Sequence, residues 1–143
     1  MKQITDITEK ESGGYVRDIT NQATLRIKGH EVRIEQAQQG SDFVFGNSLG
    51  CIVAIPLHRI DTMRSPEPPP IRDMGLIDFL ELQRVPVQLE IESGGQSINC
   101  WLLNVAKNWL RISSHVGVEW APVTALLVAK INPVDKSRLL NSL

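Results

Sequence analysis

The chain has 143 residues, enough for one moderate core or two very small ones. With 42% hydrophobic and 22% charged residues it has the composition of an ordinary globular protein. Fifteen basic against sixteen acidic residues give a formal net charge of −1, which argues against wrapping nucleic acid over a broad basic surface and leaves room only for a local patch.

Cys51 and Cys100 lack CxxC spacing and read as buried free thiols in a reducing compartment. The segment MKQITDITEKESGG has no apolar core of the signal-peptide kind. No run approaches the ~20 apolar residues needed to span a bilayer. A cytoplasmic protein without membrane contact is expected.

In chain order, Thr5 is placed to cap a short helix that Gly13-Gly14 would end. Tyr15 to Lys28 turns strand-like, with Leu25 and Ile27 alternating with Arg26 and Lys28. Gly29 makes a turn, and 31–35 alternates again with Val32 and Ile34 inward. Phe43 to Phe45 is a compact strand, 46–50 a turn, and Ile52 to Ile55 the most apolar strand of this region. Pro56 removes a ladder donor and marks a corner before Leu57 to Met63.

Ser65-Pro66-Glu67-Pro68-Pro69-Pro70 holds half of the eight prolines and reads as a stiff, extended spacer. Asp73 is placed to cap a helix whose Leu76, Phe79 and Leu80 share a face, with Gln83 as a further candidate. Val85, Val87, Leu89 and Ile91 form the cleanest alternating strand, followed by a turn at 93–95. Ile98, Cys100 and Leu102 alternate with Asn99, Trp101 and Leu103. Two short strands at 110–112 and 118–120 precede a second proline corner, Pro122, and a last strand from Val123 to Ala129. Asn132-Pro133-Val134-Asp135 has the cap, first-turn proline and acid of a helix start, which predicts a helix to about Ser142.

A shift of sixty-six residues superposes two parts of this pattern. Gly29 falls on Gly95 and Pro56 on Pro122. Apolar classes match without a gap: Val32 with Ile98, Ile34 with Cys100, Phe43 with Trp109, Val44 with Leu110, Ile52 with Val118, Leu57 with Val123 and Ile60 with Leu126. Each copy reads as five short strands behind a helix, with a proline corner between the last two. A unit of about forty residues buries little surface alone, so the copies are expected to pack on each other or on other chains.

Five short bent strands behind a helix resemble the Sm-like small β-barrels. Leu25-Arg26-Ile27-Lys28-Gly29 resembles the first Sm strand and its glycine turn. Asp42-Phe43-Val44-Phe45 resembles the segment in which an aspartate opens the third strand, and 52–60 the second Sm motif. The chain is also similar to uncharacterised actinobacterial proteins with a G-x-D-H segment, departing from them at Phe43. The resemblance implies a mainly β fold of two tandem Sm-like five-stranded small barrels with short flanking helices. Its organisation would be 1–64 for the first barrel with an N-terminal extension, 65–72 for the linker, and 73–143 for helix, second barrel and C-terminal helix.

The resemblance also implies rings in which the fourth strand of one unit pairs with the fifth of the next, and single-stranded RNA bound at two loops. Those loops depart from the Sm pattern. Gly46 and Ile112 stand where the family has an asparagine, and Pro56-Leu57 and Pro122-Val123 replace its Arg-Gly pair.

No catalytic, cofactor or metal constellation is legible. His30, His58 and His115 are scattered and read as exposed loop residues. No GxSxG element or phosphate-cradling glycine loop occurs. Asp42 reads as a turn former, and His58-Arg59 beyond the proline corner is the foremost loop candidate. Phe43 and Trp109 at equivalent positions argue for core. Trp101, out of phase with Cys100 and Leu102, is either a base-stacking platform or an interface anchor, and the absence of a basic cluster favours the interface. The expectation is a non-enzymatic binding and assembly module, a homo-oligomer built through strand edges and Trp101-type surface, needing no cofactor. The alternative is a single-stranded RNA or DNA binder using Asp42, His58, Arg59, Lys107 and Asn108.

Overall fold

The computed structural model describes residues 22–132. They form ten strands in one antiparallel sheet: β1 (Ala23–Ile27), β2 (His30–Gln39), β3 (Phe43–Ser48), β4 (Cys51–Pro56), β5 (Thr62–Arg64), β6 (Val87–Ser93), β7 (Gln96–Ala106), β8 (Trp109–Ser114), β9 (Gly117–Pro122) and β10 (Leu126–Ile131). Their spatial order is β5-β1-β2-β3-β4-β10-β6-β7-β8-β9. A short helix, α1 (Leu76–Glu81), lies between β5 and β6 in sequence. The protein is mainly β, and among the described residues its sheet is open at β5 and β9.

The hairpins follow from local chemistry. Lys28-Gly29 and Gly94-Gly95 take positive φ at both central residues, as two-residue turns matching strand twist require. Leu49-Gly50 does the same, so β3 runs to Ser48 where the composition of 46–50 suggests a longer turn. Alternation decides which side is buried: Ala23, Leu25 and Ile27 in β1, and Val87, Leu89 and Ile91 in β6, all face inward. The long strands β2 and β7 each carry one extra residue relative to their next neighbour, near Gln36 and at Leu103. At those bulges each strand bends, pairing first with one neighbour and then with the other.

Connection lengths force the sheet to curl. Between β9 and β10 only the 3₁₀ turn Val123–Ala125 intervenes, a span of about 8 Å. Yet β10 lies four strand positions from β9 within its half, which in a flat sheet would be about 19 Å. The first half repeats the device: β4, the 3₁₀ turn Leu57–Arg59, then β5 paired back onto β1. Each half is therefore a four-strand meander whose fifth strand returns to its first.

Two cores result. Leu25, Ile27, Ile34, Val44, Val53 and Ile55 fill the first half. Leu89, Ile91, Cys100, Leu110, Ile112 and Leu126 fill the second, together with Leu76, Phe79 and Leu80 of α1 and with Phe43 and Ala54 from the first half. The helix face read from the spacing is thus the buried one, and Gln83 is half-buried with its amide donating to the Phe79 carbonyl.

Several expectations need correction. Asp73 does not cap α1: Gly75 is the cap residue, and the Leu76 N–H donates instead to Asp42 Oδ1 at 2.8 Å. Trp109 is not core; 48% of its surface is exposed, whereas Phe43 has none exposed. The proline-rich segment is not a free spacer: it bends at Pro66-Glu67 and its end docks along β2, where Gln39 N–H donates to Pro70 O and Arg72 N–H to Gln39 O. The helices expected at Thr5 and beyond Asn132, and the stretch Tyr15 to Asn21, lie outside the described residues.

Candidate functional site

The two halves meet along β4 and β10, where Ala54, Val53 and Ile52 pair with Ala129, Lys130 and Ile131. Above this seam the Phe79 ring of α1 lies 5.1 Å from both Phe43 and Phe45, which themselves stack at 5.2 Å. Polar groups fix the other end. Arg59 donates from Nη1 to Glu92 Oε1 at 2.7 Å, from Nη2 to Thr124 O at 2.6 Å and from Nε to Leu126 O at 3.1 Å. Lys28 reaches the same carboxylate at 2.8 Å. The hydrogen bond from Lys28, then that from Arg59, holds the Glu92 carboxyl below the ordinary carboxylate range.

At the opposite edge no described residue covers the outer face. Cross-strand pairing puts Ala106, Asn104 and Trp101 of β7, Trp109, Arg111 and Ser113 of β8, and Pro122, Trp120 and Val118 of β9 on one face. Trp101, Trp109, Trp120 and Val118 are 48%, 48%, 46% and 54% exposed, four large apolar groups on a single edge hairpin and its neighbour. Ala106, Trp109 and Trp120 line a shallow apolar depression of about 410 Å³. The Arg111 guanidinium sits 5.5 Å from the Trp120 ring centroid, a cation–π contact that fixes the indole against its strand.

The candidates read from sequence are scattered over these regions. Asp42 accepts from Leu76 N–H through its side chain and from Leu57 N–H through its carbonyl. His58 Nε2 lies 3.2 Å from Thr124 O, and Arg59 is the clamp just described. Lys107 and Asn108 form the exposed β7–β8 turn, where Asn108 O accepts from Val123 N–H. Asp42, His58 and Arg59 thus lie along the seam, while Lys107 and Asn108 lie near the tryptophan face. Trp101 does project outward.

Equivalence to Phe43 places Trp109 in the core although a contrary signal exists: it alternates with Leu110 in phase with Arg111, and a strand face carrying arginine is a solvent face. Cys100 is buried and Cys51 half-buried, both as free thiols. Burial, with the Glu119 carboxylate second, pushes the Cys100 thiol up. Among the described residues no three His, Cys, Asp or Glu side chains converge as metal ligands, and no helix is long and apolar enough to cross a membrane.

Compared with known proteins, the chain matches no family model, no curated protein and no solved structure.

Proposed function

We propose that each half is a Sm-like unit and that the chain is a non-enzymatic assembly module, a fused pair of such units that joins further copies through its two free strand edges. The observation that carries this reading is the seam. Within the chain the halves are held together by the fourth strand of one and the fifth strand of the other, β4 with β10. The same two strand types, β9 and β5, end the sheet formed by the described residues, with no described strand beyond them. Exposed edges carry a row of N–H and C=O groups that favours added strands. The five-strand order in each half, its 3₁₀ turn before the last strand and the Sm-like segments quoted above support the unit assignment.

Sedimentation equilibrium on the full chain tests the proposal. A mass of two or more chains at micromolar concentration is expected. A monomer up to the highest soluble concentration would remove the assembly reading. A labelled single-stranded oligonucleotide bound by that monomer, with affinity falling steeply with salt, would put nucleic-acid binding in its place.

A further inference from the structure

The surroundings of Trp101 differ from the apolar depression at Trp109 and Trp120. Cross-strand pairing aligns Gln88 of β6, Trp101 of β7 and Ser113 of β8 in one row, with Asn99 on the same face two residues before Trp101. Continuing the register brings His115, in the β8–β9 turn, opposite Asn99. Cys100 between Asn99 and Trp101 is buried, so alternation turns the indole outward, where it is 48% exposed. These five outward side chains line a shallow depression of about 270 Å³.

The chemistry of this depression is narrow. Indole offers a flat apolar face whose negative quadrupole attracts slightly positive C–H groups. The rim is uncharged, since no Lys, Arg, Asp or Glu lines it. Glu90, the cross-strand neighbour of Asn99, is engaged by the Ser97 hydroxyl. The side chains of Gln88, Asn99, Ser113 and His115 make no hydrogen bond to any described residue. Ser114 differs, because its Oγ accepts from Val116 N–H at 3.3 Å. Amide, hydroxyl and neutral imidazole groups each bring both donor and acceptor capacity. The matching ligand has one flat C–H face, hydroxyls around its rim and no charge, which describes a pyranose ring.

We propose that this depression binds a neutral pyranose residue of an oligosaccharide, its C–H face stacked on Trp101 and its hydroxyls on Gln88, Asn99, Ser113 and His115. The inference uses neither sheet edge and is independent of the assembly reading above. A stacked nucleobase would bring phosphates that need cations beside the ring, and none lines the site. An interface anchor is ringed by a packed, desolvated surface, whereas amide and hydroxyl groups flank Trp101 on both neighbouring strands. A few convergent polar groups around an apolar platform are the usual make-up of a small-ligand site.

The indole N–H signals of Trp101, Trp109 and Trp120 give a built-in comparison in proton–nitrogen NMR of the full chain. The probes are gluco-, manno- and galacto-oligosaccharides, added to about 50 mM, well above the roughly millimolar affinity expected of one ring on a shallow site. At least one should move the Trp101 signal saturably while those of Trp109 and Trp120 stay in place. Trp101→Ala should weaken binding roughly 10-fold or more, and Asn99→Ala about 3-fold. Circular dichroism melts confirm folding, and Trp101→Phe, with an intermediate loss, serves if the alanine chain is destabilised. No saturable shift with any of the sugars overturns the inference, as does a Trp101→Ala chain that binds as tightly as the wild type. A Trp101 signal moved instead by an oligothymidylate strand, and less so with added salt, makes it a base platform and overturns it too. A signal that follows protein concentration without sugar makes it a contact between chains, with the same consequence. A chain that is monomeric in sedimentation can still pass this test, so the two readings fail separately.

Discussion

Phe43 and Trp109 open the third strand of their respective halves, each directly across from a proline, yet Phe43 is fully buried and Trp109 stands half exposed. The difference lies in what packs above each among the described residues. After the first half the polypeptide continues into α1 and a second half that closes over Phe43. After β10 the described chain ends at Asn132, and nothing within 22–132 lies over Trp109.

Phe79 is the central contact of the covered face, and its loss separates the halves' shared packing from the rest of the fold. Phe79→Ala is expected to cost about 3 kcal/mol, from lost burial and the cavity left between Phe43 and Phe45. Urea unfolding followed by tryptophan fluorescence and by far-UV circular dichroism checks this. The midpoint should fall with both probes.

Arg59 joins the halves through one carboxylate and two backbone carbonyls. Arg59→Ala is expected to destabilise by about 1–2 kcal/mol, a charged multi-bond contact discounted for its partial exposure. Arg59→Lys keeps the charge but not the planar fork that reaches three acceptors, so its loss should be intermediate. Both values come from denaturant midpoints at neutral pH.

Glu92 makes this contact pH-dependent. Its carboxyl is held below its ordinary value of 4.5 by Lys28 and Arg59, so folding favours the anion. The stabilisation is complete above the ordinary carboxylate pKa and is lost as pH falls through the lower folded-state value. Glu92→Gln should therefore be less stable than the wild type at pH 7, and the gap should shrink below about pH 4.5. Thermal melts across pH 3 to 7 measure it. A gap that is constant with pH would assign the loss to packing.

Much of this architecture is legible residue by residue. The inward alternation of Leu25 and Ile27, the glycine turns at Gly29 and Gly95 and the proline corners at Pro56 and Pro122 all follow from local rules. What local rules miss is the partner of each surface. Asp73 has the right chemistry for a cap, but Asp42, thirty-four residues before Leu76, reaches its N–H first. Equivalent positions suggest equivalent burial for Phe43 and Trp109. Burial instead follows from what packs above a strand, and a sixty-six-residue match carries no information about that. His58 and Arg59 look like a free loop in sequence because their acceptors, Thr124, Leu126 and Glu92, lie 33 to 67 residues away.

The most direct test of the free-edge account is hydrogen exchange at two protein concentrations. Amides of Thr62–Arg64 and Gly117–Ala121 should gain protection together as concentration rises, while those of β4 and β10 stay protected throughout. Exchange in β5 and β9 that is fast and independent of concentration would contradict the account.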